Sequence, residues 1–133
     1  MAKIQFRNKA HRDFVFENLE KCRHNDCYHQ AFFYVMGISE ETRMNIGKMF
    51  DFKNDCIVPE GMYGGWQTRG PVTVGALAFN LWNGFTEEGK ENLFTPDELF
   101  CCGYAPYFME GIKLRYPEYC RDLTPHKRKD MER

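Results

Sequence analysis

Residues 71–85 read "PVTVGALAFNLWNGF", and from Ala76 to Trp82 apolar side chains surround a helical path on nearly all sides. A helix that is apolar all round has no face to give to solvent, so it predicts a central rod with other elements packed about it. Gly84 supplies the stop and Asn83, just before it, the helix C-terminal residue. The rest of the chain must then provide the helices that cover this one.

Upstream, Asn8 is a cap for a helix that carries His11, Phe14, Val15, Asn18, Leu19 and Cys22 at helical spacing and ends near Arg23. Asp26 caps a second helix through "CYHQAFFYVM", with Gly37 as a left-handed C-terminal stop. Ser39 opens a third, "EETRMNIGKMF", whose Glu40 and Glu41 sit at the positive end of its dipole while Ile46, Met49 and Phe50 face inward. From Asp51 to Gly70 no period survives, and the glycine-rich, mixed-polarity composition predicts a long ordered loop with a short strand at "CIV". Loops of this length inside a domain are uncommon and often functional.

Downstream, Thr95, Pro96 and Glu98 form a helix-start signature with a capping box. Gly103 and Pro106 divide the next stretch into a short helix through Cys102 and another from Pro106 to about Arg115, ended before Pro117. The expectation is an all-α, compact single domain over residues 1–123, of about six helices with a long Gly/aromatic loop between helices 3 and 4. Residues 124–133 form a basic, frayed C-terminal tail.

Twelve Phe and an aromatic fraction of 16% promise a well-packed core, because each aromatic buries about 150–250 Å². A formal net charge of −1 gives no general attraction to phosphate backbones, although the first 24 residues and the tail are locally basic and residues 86–98 are acidic. The N-terminus lacks the apolar stretch of a signal peptide, and no run reaches the roughly 18 apolar residues of a membrane span. A cytoplasmic protein with no membrane association is expected, its six cysteines being buried free thiols rather than a disulfide framework.

Several stretches together, "FRNKAHRDF" (6–14), "YHQAFFYVMGISEETR" (28–43), "PEG" (59–61), "GWQT" (65–68), "AFNLWNG" (78–84) and "ELFCCGYAPYFMEGIKLRYPEY" (98–119), span most of the chain in order. In them the chain resembles a domain-of-unknown-function family carried on phages and conjugative elements of Gram-positive bacteria. No catalytic motif comes with that resemblance. What it implies is a setting, since small proteins of mobile elements often bind and block host machinery, including defence systems.

The candidate chemistry is sparse. In "CRHNDCYH" (22–29), Cys27 and His29 lie two apart in a helix and point to opposite sides, so a tetrahedral zinc site would have to recruit Cys22 and Cys27 with a distant ligand such as Cys120 or His126. A helical corner in which Cys22 and Cys27 pack across the turn is the preferred reading, with no metal and no cofactor. Ser39, the only serine, has the context of a helix cap, which argues against a serine hydrolase, and no phosphate-binding glycine loop occurs. His11 on an apolar stripe, Asn80 in the most buried helix and Glu110 on a mostly apolar one form an alternative polar cluster for an enzyme or small-ligand binder. Packing hydrogen bonds are the simpler role for them. "GMYGGWQTRG" differs, because Tyr63, Trp66, Gln67, Thr68 and Arg69 bring interface-anchor residue types to an open backbone. The expected function is therefore binding of a host protein through residues 60–70, with nucleic-acid binding through the basic first helix and tail as a less favoured alternative.

Overall fold

The computed structural model describes residues 4–63, 65 and 69–120, with the backbone alone described at 63, 69 and 70. The chain is mostly helical, with seven α-helices and one two-stranded sheet among the described residues. Three successive helices start on the expected caps. Asn8 accepts the His11 N–H at 2.8 Å to open α1 (Lys9–Glu20), and Asp26 accepts the His29 N–H at 3.0 Å to open α2 (Cys27–Met36). Ser39 then accepts from Thr42 to open α3 (Glu40–Met44).

The helix expected over residues 40–50 is broken. Asn45 separates α3 from α4 (Ile46–Met49), and its side-chain amide donates to the Glu41 carbonyl at 2.8 Å, offering the backbone an alternative to the next helical turn. The stretch expected as loop is largely occupied. β1 (Phe50–Asp51) pairs antiparallel with β2 (Cys56–Ile57), Phe50 opposite Ile57 and Asp51 opposite Cys56. A 3-10 helix comes next at Pro59–Tyr63, and α5 (Arg69–Asn83) starts two residues ahead of Pro71. A second 3-10 helix (Glu91–Phe94), α6 (Pro96–Phe100) and α7 (Ala105–Arg115) complete the described chain. Thr95 does precede Pro96 at the start of α6, but its hydroxyl donates to the Asn92 carbonyl at 3.0 Å and closes the preceding turn, so the capping box with Glu98 lacks its threonine half.

The centre of the molecule is α2, where Ala31, Phe32, Phe33, Tyr34, Val35 and Met36 are all buried. It packs chiefly against α5, then α7 and α1. The rod expected at the centre, α5, instead lies one layer out. Val74, Leu77, Ala78 and Leu81 face the core, while Val72, Ala76 and Asn80 form a half-exposed stripe on its other side. At the end of α2, Gly37 is right-handed (φ −76°), not left-handed as expected. Glycine is required there by proximity: a Cβ would lie 2.6 Å from His11 Cδ2 and 2.9 Å from Phe14 Cδ1, where α1 crosses. Gly84, at φ +80°, is the left-handed stop after α5. The end of α7 is tied to α5 by Arg115, whose Nε donates to the Leu81 carbonyl at 2.7 Å while its guanidinium covers the Tyr28 ring. Among the described residues no helix is long and apolar enough to cross a membrane.

Candidate functional site

Val72 and Ala76, the apolar part of the half-exposed stripe on α5, line an open cleft of about 260 Å³. Val72, Ala76 and Phe79 supply the floor, Met62 of the first 3-10 helix one wall, and Phe85, Leu93 and Phe94 the other. Met62 is drawn in by Gly75, where a Cβ would stand 2.4 Å from its sulfur. Phe85 meets Phe79 edge-on at 6.1 Å. The polar groups of the lining are Glu60, Thr86, and Glu87 paired with Lys90 at 3.2 Å. Concave, mostly apolar sites with few polar groups are where ligands and partner side chains bind. Among the described residues the lining is mostly apolar, with Glu60, Thr86, Glu87 and Lys90 as its polar groups.

The residues expected to make contacts relate to this cleft through the chain. Tyr63 ends the 3-10 helix and Arg69 opens α5, whereas Trp66, Gln67 and Thr68 lie outside the described residues. Met62 and Val72, both cleft residues, bracket all five in sequence.

The polar trio from sequence does not meet in one site: His11 and Glu110 both neighbour Tyr34, and Asn80 lies apart from them. His11 is fully buried; its Nδ1 accepts the Arg7 backbone N–H at 3.0 Å, so Nε2 carries the hydrogen and donates to the Tyr34 carbonyl at 2.7 Å. Burial pushes its pKa down to about 4, the Tyr34 carbonyl opposing and the Arg43 and Arg7 charges adding to the fall. Asn80 instead donates to the Phe85 carbonyl at 3.3 Å, near the cleft. Glu110 sits where its charge, after burial itself, helps raise the Tyr34 phenol pKa. His11 and Glu110 thus both neighbour Tyr34, and Asn80 serves the turn after α5.

A different group of side chains converges at the corner between α1 and α2. His29, almost fully buried, presents Nδ1 to Asp26 Oδ1 at 2.7 Å and Nε2 to Asp55 Oδ1 at 2.8 Å. The ligand atoms of Cys22, His29 and Asp55 all lie within 4.8 Å of one another, and these three are the metal-compatible group of His, Cys, Asp or Glu found among the described residues. Cys27, paired with Cys22 in the sequence reading, is not among them. Burial, then Asp55 and Asp26, push the Cys22 thiol up to about 11, which argues against a nucleophile there. Its Sγ donates to the Asn18 carbonyl at 3.4 Å. The other cysteines are free thiols but not buried as expected: Cys56, Cys101 and Cys102 are exposed and Cys27 and Cys120 half-buried, since aromatic rings fill the core. Asp55 is the member the sequence hides, 26 residues from His29 and placed by the β1–β2 turn.

Comparison with curated proteins and with solved structures finds no match. Over residues 1–128 the chain matches the family described as "Family of unknown function (DUF6075)", with its central helix, cleft and corner cluster all inside the matched span, and it belongs to that family.

Proposed function

We propose that this chain is a cytoplasmic, non-catalytic binding protein that takes an apolar segment of a host protein into the cleft over α5, with Tyr63, Trp66, Gln67, Thr68 and Arg69 contributing further contacts. The observation that carries the reading is the half-exposed pair Val72 and Ala76 on α5, which leaves apolar surface in an open concavity instead of the core. Glu60 and Glu87 in the lining oppose phosphate, which favours a protein over a nucleic acid. The mobile-element setting that the sequence resemblance implies makes a component of host defence the partner class to examine first, with inhibition as the consequence.

The experiment is capture of partners from host extract by the native chain and by Ala76→Phe, a substitution that fills the cleft from its floor. A host protein held by the native chain and lost with Ala76→Phe, at unchanged helicity and unfolding midpoint, is the expected result. Equal retention by both would remove the cleft from the interface. Trp66→Ala and Arg69→Ala test the adjoining residues in the same assay, and unchanged capture would sink their assignment. A retained nucleic acid whose affinity falls steeply with salt would replace this reading by the alternative.

A further inference from the structure

We propose that Cys22, His29 and Asp55 form a binding site for a thiophilic divalent transition-metal ion, zinc foremost, through Cys22 Sγ, His29 Nε2 and one Asp55 carboxylate oxygen. The three come from separate segments: the chain just after α1, the first turn of α2, and the β1–β2 turn. An ion there would tie together parts of the fold that no disulfide joins among the described residues.

The geometry is close to what coordination needs. In a tetrahedral zinc site with bonds of about 2.0–2.3 Å, neighbouring ligand atoms stand about 3.3–3.7 Å apart. The three ligand atoms here lie within 4.8 Å of one another, and Nε2 and the Asp55 oxygen are already at 2.8 Å. An entering ion takes the place of the proton shared between them and widens that pair by less than about 1 Å.

The surroundings are also those of a ligand histidine. Metal-bound imidazoles usually give their second ring N–H to a carboxylate, which fixes the tautomer and the ring plane. Asp26 Oδ1 stands 2.7 Å from Nδ1 and does this, while the same oxygen accepts the His29 backbone N–H. The ring is held edge-on against Trp82 at 4.7 Å, with Phe50 beyond, so one side of the site is dry. Asp55 is just over one-third exposed, and the exposed His24 has its ring 6.1 Å from that of His29, so the site reaches solvent for a fourth ligand.

Donor chemistry selects the ion. One sulfur, one nitrogen and one oxygen suit zinc and its neighbours, whereas calcium and magnesium require several oxygens. Binding converts the Cys22 thiol to thiolate and takes the hydrogen from His29 Nε2, both protons passing to solvent, and thiolate plus carboxylate then balance the double positive charge. Without metal the same contacts describe a simpler device, a His29 imidazolium clamped between two carboxylates, and the two are separable by experiment.

The reduced, metal-free chain is titrated with cobalt(II), followed by zinc. The expected result is one cobalt per chain with a thiolate-to-cobalt charge-transfer absorption, displacement by zinc, and a raised unfolding midpoint. Cys22→Ser should abolish the absorption and Cys27→Ser should preserve it. Asp26→Asn keeps a capping residue on α2 and should weaken zinc about 10- to 100-fold through its outer-shell role. No thiolate absorption, or one that survives Cys22→Ser, would overturn the site, as would an unfolding midpoint indifferent to zinc. Each variant's metal-free helicity and unfolding are measured first, and if Cys22→Ser does not fold, Asp55→Asn replaces it and must lower affinity.

Discussion

Protonating His11 would place a second hydrogen on Nδ1, the atom that now accepts the Arg7 N–H at 3.0 Å, inside a fully buried pocket edged by Phe6 and Tyr34. The folded pKa of about 4 is below the ordinary 6.5, so between those values the unfolded chain binds the extra proton and the folded one does not. Stability from this residue is therefore intact above about pH 6.5, falls as the pH drops towards 4, and levels off below that. Relative to His11→Gln, the native chain should lose about 2 kcal/mol of its advantage between pH 7 and pH 5, read from urea midpoints of the two proteins at both pH values. Parallel pH curves would contradict the assignment of a neutral, buried imidazole. From sequence, the stripe position of His11 already indicates burial with a hydrogen-bond partner; the identity of that partner, a carbonyl 23 residues away, is not readable there.

At the scale of elements, the caps are legible because they are local. Asn8, Asp26 and Ser39 each bond an amide three residues ahead, so spacing alone identifies them. The short strand expected at 56–58 is β2 (Cys56–Ile57), but its partner β1 is too short to show a period; the break at Asn45 rests on a local bond to Glu41 that helical periodicity does not register, and the right-handed Gly37 is set by α1 crossing over it. The crossing of α2 and α7 is of the same kind. Gly111 is buried against α2, and a Cβ there would stand 2.4 Å from Val35 Cγ2, a fully buried β-branched group with no room to swing away. Alanine gains up to about 1 kcal/mol of helix propensity over glycine, but overpacking costs about 1–3 kcal/mol. Gly111→Ala should accordingly destabilise the protein by about 1–2 kcal/mol in chemical denaturation, whereas the same change at Gly47, where nothing lies within 4 Å of the added methyl, should not. A stabilised Gly111→Ala would mean that the two helices can separate at little cost.

For the molecule as a whole, helical composition and a single core are readable from pattern, yet the expected centre is misplaced by one layer. Both α2 and α5 are rich in apolar residues, and composition cannot tell a helix covered on all sides from one whose spare apolar face lines a cleft. The corner cluster is hidden for another reason: Cys22 and His29 stand in one eight-residue run, but Asp55 joins them only once the β1–β2 turn has folded back. The unit that holds these regions together is the ring of Phe32. It packs against Phe33 at 5.1 Å, Phe50 at 5.2 Å, Trp82 at 5.7 Å and Phe79 at 6.1 Å, so α2, β1 and α5 share it. Phe32→Ala should cost about 3–5 kcal/mol, a large part of the roughly 5–15 kcal/mol that stabilises an ordinary domain. Because the cleft floor and the corner cluster both lean on this core, the loss should be cooperative. Unfolding followed by far-ultraviolet circular dichroism and by tryptophan fluorescence should give one coincident transition in the native chain, displaced to lower denaturant in the variant. Transitions that separate between the two probes, or a variant in which only one of them moves, would divide the chain into independently folding parts and contradict a single domain over residues 1–123.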